Sequence, residues 1–128
     1  LSPIIVAANV LKNKLEGKVV GIQASEVREK LETQKENFQV LDVREEDEVK
    51  AKRIPNTIWV PYGELKKRLG ELDKKKEIAV HCESGLRSYK ACLKLKHEGF
   101  ENVKNIDGGM LCWCYDVEFT SPSQETVS

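Results

Sequence analysis

Short apolar strands alternate with amphipathic helical stretches along most of the 128-residue chain, and this alternation limits the fold more than any other feature. The predicted strands cover 19–22, 38–43, 57–60, 77–81 and 103–106. The predicted helices cover 25–34, 44–47, 62–69 and 88–98, with a last short helix around 111–113. This order predicts an α/β protein with a mainly parallel five-stranded sheet and helices on both faces.

The chain is predicted to have three parts. Residues 1–18 form an N-terminal helix and linker, because apolar residues recur at helical spacing over 4–15. Residues 19–118 form the single α/β domain. The polar segment 119–128 is predicted to be a disordered tail.

Charge and cysteine usage narrow the classes of function. The 21 basic and 21 acidic residues cancel, so no overall field attracts nucleic acid or an anionic membrane. No apolar run approaches the roughly 20 residues that span a bilayer. Cys82, Cys92, Cys112 and Cys114 form neither a C-x-x-C pair nor a zinc spacing with the two histidines. We therefore expect reduced thiols, no metal and a cytoplasmic protein.

The loop after the fourth predicted strand is the strongest candidate for a functional site. It reads Cys82-Glu83-Ser84-Gly85-Leu86-Arg87-Ser88 and leads into the helix at 88–98. In open parallel sheets, ligands bind beyond the carboxyl ends of the strands. Backbone N–H groups and a helix N-terminus there favour a cysteine thiolate, which is the nucleophilic form. Gly85 lets the backbone approach the sulfur and Arg87 adds a cation, so the loop is predicted to hold an anionic sulfur.

This loop resembles the active-site loop of rhodanese-like sulfurtransferases, C-x-x-G-x-R-S. The segment Val40-Leu41-Asp42-Val43-Arg44 resembles the family's Asp-Val-Arg strand end, and Gly99-Phe100-Glu101-Asn102-Val103 with Gly108-Gly109 and Trp113 resembles its closing segment. The resemblance covers about residues 22–115. One turn departs from it, because the family's Gly-His-Ile-Pro-Gly-Ala reads Lys52-Arg53-Ile54-Pro55-Asn56-Thr57 here.

The resemblance implies an enzyme of sulfur metabolism of the thiosulfate sulfurtransferase type, with Cys82 and Arg87 as catalytic residues. A persulfide on Cys82 would carry a sulfane sulfur from thiosulfate or a small persulfide to a thiol or cyanide, without metal or organic cofactor. Asp42 and Arg44 are expected either to brace the loop or to contact substrate. The other loop residues are expected to bind the sulfur: Glu83, Ser84, Gly85, Leu86 and Ser88.

The same residues bear on three alternative functions. Related phosphatases on this fold resemble C-x5-R, and the tighter C-x4-R from Cys82 to Arg87 disfavours phosphoryl chemistry. Residues 3–12 weakly resemble the end of the dimerisation domain of FAD-dependent disulfide reductases. Some of these, the coenzyme A-disulfide reductases, carry a C-terminal rhodanese domain. The resemblance therefore implies, as an alternative, that the chain is an excised persulfide-handling module with a flavin-dependent partner. A non-catalytic binding module is disfavoured because Cys82, Gly85 and Arg87 are present.

Five further side chains carry predictions of their own. Glu83 is hypothesised to disfavour the thiosulfate dianion relative to a persulfide donor. His81 is predicted to point away from the neighbouring cysteine and to pack, since successive strand residues face opposite sides of a sheet. Cys92 is predicted to lie in the core. Cys112 and Cys114 are expected to pack, with disulfide resolution of the persulfide as the alternative.

Overall fold

An all-parallel, five-stranded sheet forms the centre of the computed structural model, which describes residues 19–119. The strands are β1 (Val20–Ile22), β2 (Phe38–Asp42), β3 (Ile58–Trp59), β4 (Glu77–His81) and β5 (Val103–Ile106). Their order across the sheet is β1-β5-β4-β2-β3. The predicted α/β class and parallel sheet are therefore confirmed. Because β4 is the central strand, the carboxyl ends of β5 and β2 flank the loop that follows it.

Helices join the strands near the predicted positions, with shifted ends. They are α1 (Ala24–Thr33), α2 (Glu46–Ala51) and α3 (Leu86–His97). α1 begins one residue before the predicted start at 25, and its N-cap is Gln23. The predicted start of α3 at Ser88 is two residues late, because the left-handed turn at Gly85 (φ 104°) already aligns Leu86 with the helix axis.

Two 3₁₀ segments complete the fold. The helix predicted over 62–69 is instead a 3₁₀ segment that covers Tyr62–Glu71 and is interrupted at Arg68 by non-helical dihedrals. Glycines at positions 63 and 70 weaken a regular helix there, since glycine is a poor helix former. The last segment, Gly109–Cys112, is a single 3₁₀ turn that follows β5.

Apolar residues cover both faces of the sheet. One face packs Leu41, Val80 and Leu95 of α3 into the larger cluster, and the other packs Val40 with Val27 of α1. Neighbours in a strand point to opposite faces, which explains why β2 and β4 are buried along their whole length. The prediction of helices on both faces is confirmed.

The turn that departs from the family pattern is held by contacts of its own. Asn56 adopts φ 62°, a left-handed conformation that asparagine tolerates better than most residues. The backbone of Arg53 pairs with that of Glu118 in both directions, at 2.8 and 2.7 Å. Arg53 Nη2 also donates to the Thr57 carbonyl at 2.8 Å. Ile54 is fully buried beneath the turn.

Several predictions concern the ends of the chain or classes of site. The predicted helix at 4–15 and most of the predicted polar tail lie outside the described residues, and the domain limits at 19 and 118 stay predictions. Over residues 19–119, no helix combines the length and apolarity that crossing a membrane requires. In the same range, no three His, Cys, Asp or Glu side chains are grouped as metal ligands.

Candidate active site

The sulfur of Cys82 lies under the loop that joins β4 to α3. The backbone N–H groups of Gly85 and Ser88 donate to Sγ, with N–S distances of 3.1 and 3.3 Å. The left-handed conformation of Gly85 bends the loop back over the sulfur. Cys82 is 1% exposed, so the loop holds its sulfur at the bottom of the site. This arrangement stabilises negative charge on sulfur through fixed amide dipoles.

A buried polar pair lies behind the loop, and the sequence analysis missed half of it. Ser88 Oγ is 3.5 Å from Cys82 Sγ and donates to Asn105 Oδ1 at 2.6 Å. Asn105 Nδ2 in turn donates to the Gly85 carbonyl at 3.1 Å. The available signal was an amide side chain at 105, which alternation along the strand places on the same face as the apolar Val103.

Arg87 stands at the edge of the site in a bidentate ion pair. Its Nη1 and Nη2 donate to the two carboxylate oxygens of Glu48, at 2.7 and 2.8 Å. The hydrogen bonds of this pair lower the pKa of Glu48 and raise the pKa of Arg87. The loop cation that the sequence predicted is therefore held by Glu48, a residue that the sequence analysis did not single out. Its signal was the capping box that Glu48 forms with Glu45 at the start of α2.

Asp42 and Arg44 form a buried pair at the carboxyl end of β2. Arg44 Nη2 donates to Asp42 Oδ2 at 3.0 Å and to the Lys52 carbonyl at 2.8 Å. Burial alone raises the pKa of Asp42, but contacts with His81 and Arg44 outweigh burial and hold that pKa well below its usual range. Arg44 thus links the end of β2 to the end of α2, as expected of a pair that braces the loop.

His81 is fully buried and contacts Asp42 and, through Nδ1 at 3.3 Å, the backbone carbonyl of Cys82. Its Nε2 lies 3.3 Å from Asp42 Oδ2. That distance fits a hydrogen bond, whereas the direction does not, and Nε2 has no well-aimed partner. We therefore treat the contact as electrostatic, and His81 as a packing residue in line with its strand position.

Glu83 forms one wall of a shallow cavity beside the loop. The cavity has a volume of about 310 Å³ and is lined by Arg44, Glu48, Ala51, Lys52 and Glu83. Glu83 Oε1 is 3.6 Å from Arg44 Nη1, so its charge is partly balanced. A second cavity, of about 260 Å³, has Trp113 and Arg28 among its lining and contains no residue of the 82–88 loop.

The turn after β5 supports the loop from behind. The N–H groups of Met110 and Leu111 donate to the carbonyls of Cys82 and Glu83, at 2.9 and 3.1 Å. Gly109 is required here for two reasons. Its φ is 54°, and a Cβ at this position would lie 2.3 Å from the Cys82 carbonyl oxygen.

The remaining candidate residues are spread around the site. Leu86 is 37% exposed on the first turn of α3, and Ser84 is half-buried in the loop. Cys92 is buried in the core as predicted, and burial raises the pKa of its thiol. Cys112 is half-buried, Cys114 is exposed, and both are free thiols. Resolution of a persulfide by either one stays a prediction.

Comparison with known proteins identifies the family. The model of the rhodanese-like domain matches residues 23–116, which contain the whole site. The chain belongs to the rhodanese-like domain family.

Three relatives bear on the function. A sulfurtransferase of Allochromatium vinosum is 33% identical over 66 residues, which are 52% of this chain and 62% of that protein. An NAD-dependent persulfide reductase from A. fulgidus is 43% identical with a TM-score of 0.68, and the match covers 88% of this chain and 19% of that one. Reduced CoADR-RHD of Bacillus anthracis is 32% identical with a TM-score of 0.74 and the same coverages. The chain spans less than two thirds of the first curated relatives it matches.

Replacing the buried carboxylate tests the bracing pair. Asp42→Asn removes the buried counter-charge of the Arg44 guanidinium and leaves only the more exposed Glu83, and we expect a loss of about 3 kcal/mol in unfolding free energy at pH 7. Because the folded pKa of Asp42 is depressed, its contribution is complete above about pH 4 and disappears as the pH falls through the folded pKa. Urea unfolding at pH 7 and pH 3 should show the gap between wild type and variant narrowing in acid.

Asp116→Asn is the matched control, because Asp116 is exposed. We expect it to change the unfolding free energy by less than about 0.5 kcal/mol. An Asp42→Asn variant as stable as this control at pH 7 would contradict the bracing role.

Proposed function

We propose that the chain transfers sulfane sulfur through a persulfide on Cys82. The observation that carries this proposal is the pair of amide N–H groups, from Gly85 and Ser88, that donate to Cys82 Sγ. Amide donors fixed in this way favour an anionic sulfur without a cost of reorganisation. The similarity to a sulfurtransferase supports the same chemistry.

The reaction has two displacement steps. The Cys82 thiolate attacks the outer sulfur of thiosulfate or of a small persulfide, the Sγ–S bond forms, and sulfite or a thiolate leaves. An acceptor thiolate or cyanide then attacks the terminal sulfur, and the S–S bond breaks to restore the Cys82 thiolate. Both steps leave negative charge inside the loop, where its amides stabilise that charge.

The ion pairs around the loop support this assignment. Arg87 is held by Glu48, which fixes a cation in the first turn of α3, next to Ser88 in the chain. The buried Arg44 adds a second cation between Asp42 and Glu83. We infer that Arg87 acts as a charge at the edge of the site, where it offsets the negative charge of an incoming donor.

A second setting for the same chemistry is favoured by one observation. The chain is 43% identical over most of its length to part of an NAD-dependent persulfide reductase. In that setting the domain accepts a sulfane sulfur from a small persulfide on Cys82. It then passes the resulting persulfide or disulfide to a flavin-dependent reductase partner. Repeated turnover of the isolated chain with thiosulfate and cyanide separates an independent enzyme from such a module.

A free nucleophilic thiolate persists in a reducing compartment, so we propose the cytoplasm. A non-catalytic binding module is disfavoured by the amide contacts to Cys82.

The persulfide is tested by intact-mass and peptide mass spectrometry. After incubation with glutathione persulfide, the wild-type chain should gain the mass of one sulfur atom on the peptide that contains Cys82. Cyanide should remove that sulfur. Cys82→Ser should gain nothing at this peptide.

Cys92→Ser is the matched control, because Cys92 is a buried thiol in the core of the same domain and lies outside the loop. It should take up sulfur as the wild type does. A sulfur gained only on Cys112 or Cys114, or gained equally by Cys82→Ser, would contradict the proposal.

Glu83 gives a prediction on donor choice. Its carboxylate faces the cavity beside the loop, so it should repel thiosulfate, a dianion, more than cysteine persulfide, which has a net charge of −1. We expect Glu83→Gln to raise kcat/KM for thiosulfate about 3-fold relative to a persulfide, and less at high salt because exposed charges are screened. Glu101→Gln, at an exposed site outside the loop, is the control. An unchanged ratio of the two kcat/KM values would contradict the role of Glu83.

A further inference from the structure

The last strand carries an amide side chain inside the protein. Asn105 is 2% exposed and shares a sheet face with Val103, the face that α3 covers. Asparagine is a poor strand former, and burying its amide costs free energy unless both ends are hydrogen-bonded. An aliphatic residue would pack here at no such cost, so the position points to a task beyond packing.

Both ends of this amide contact the sulfur loop. Asn105 Oδ1 accepts the hydroxyl hydrogen of Ser88 at 2.6 Å, and Asn105 Nδ2 donates to the Gly85 carbonyl at 3.1 Å. Gly85 and Ser88 are the same two residues whose backbone N–H groups donate to Cys82 Sγ. One side chain therefore holds both residues that supply the donors.

The direction of the Ser88 hydroxyl follows from these bonds. A hydroxyl has one hydrogen to donate, and Ser88 donates it to Asn105 Oδ1 in a hydrogen bond of 2.6 Å. The lone pairs of Ser88 Oγ are then left toward Cys82 Sγ, 3.5 Å away, where they accept from the thiol. Charge on a thiolate or persulfide is consequently stabilised by the two backbone amides rather than by the hydroxyl, which makes their aim decisive.

We propose that Asn105 is a positioning residue for sulfur transfer. It fixes the Gly85 carbonyl and the Ser88 side chain so that the two backbone N–H groups converge on Cys82 Sγ. This inference rests on the proposed persulfide chemistry and adds a residue outside the loop to it. The residue acts on the rate through the loop and does not touch the sulfur itself.

The test replaces Asn105 by a residue of similar size that forms no hydrogen bonds. In Asn105→Leu we expect the rate of Cys82 persulfide formation at saturating donor to fall about 10- to 100-fold, which is less than the roughly 100- to 1,000-fold lost with a whole oxyanion donor, because both backbone donors remain and only their positions change. KM for the donor should change less than about 2-fold, because the cavity beside the loop is unaltered. The pH profile of Cys82 alkylation by iodoacetamide should shift toward higher pH.

Gln39→Leu is the matched control for general loss of stability. Gln39 is also a buried strand amide, and it accepts from and donates to the backbone of Asp73, at 3.2 and 2.6 Å. It lies near the amino end of β2, whereas Cys82 follows the carboxyl end of the adjacent strand β4. It should lower Tm as Asn105→Leu does and leave both the sulfur-transfer rate and the alkylation profile as in the wild type.

A double-mutant cycle with Ser88→Ala completes the test. Ser88→Ala removes one of the two Asn105 bonds and keeps both backbone amides, so it should slow transfer less than Asn105→Leu does. The two changes combined should cost less than the product of their separate effects.

Rates in Asn105→Leu equal to the wild type, or equal slowing in Gln39→Leu, would overturn the inference. A wild-type chain that takes up no sulfur would overturn the proposed function instead, and the alkylation profiles would still decide the role of Asn105.

Discussion

The structure depends on two backbone N–H groups that point at one sulfur atom at the carboxyl end of the central strand. Gly85 and Ser88 supply these donors, and Gly85 reaches its position only through a left-handed backbone conformation. Such donors cost nothing to reorient when charge appears on the sulfur. The chemistry proposed for Cys82 follows from this short loop.

The surrounding elements hold the loop from three sides. The turn at Gly109 contacts its backbone from behind, and Asn105 contacts it from the neighbouring strand. Glu48 fixes Arg87, and the buried Asp42–Arg44 pair ties the end of β2 to α2. Breaking a buried ion pair costs more free energy than breaking an exposed one, so the Asp42–Arg44 pair gives the site rigidity as well as charge. The site is therefore a product of the whole carboxyl edge of the sheet.

Local sequence patterns predicted much of this structure. Apolar runs predicted each strand, and the order of strands and helices predicted the sheet class, because these features depend on neighbours in the chain. The Cys82 loop was found because its residues are contiguous. Glu48 and Asn105 were missed because they meet the loop across 39 and 17 residues of sequence. The 3₁₀ form of the segment after Pro61 was also missed, since the spacing of Leu65 and Leu69 fits an α-helix equally well.

The central claim is that the Gly85 and Ser88 amides donate to a charged sulfur, and amide NMR measures this directly. Their ¹H shifts should move downfield when Cys82 ionises, and the Gly85 and Ser88 signals should move again when the chain is loaded with one sulfane sulfur. The exposed Gly70 amide, outside the loop, provides the reference. Gly85 and Ser88 shifts that move no more than that of Gly70 in both experiments would contradict the account.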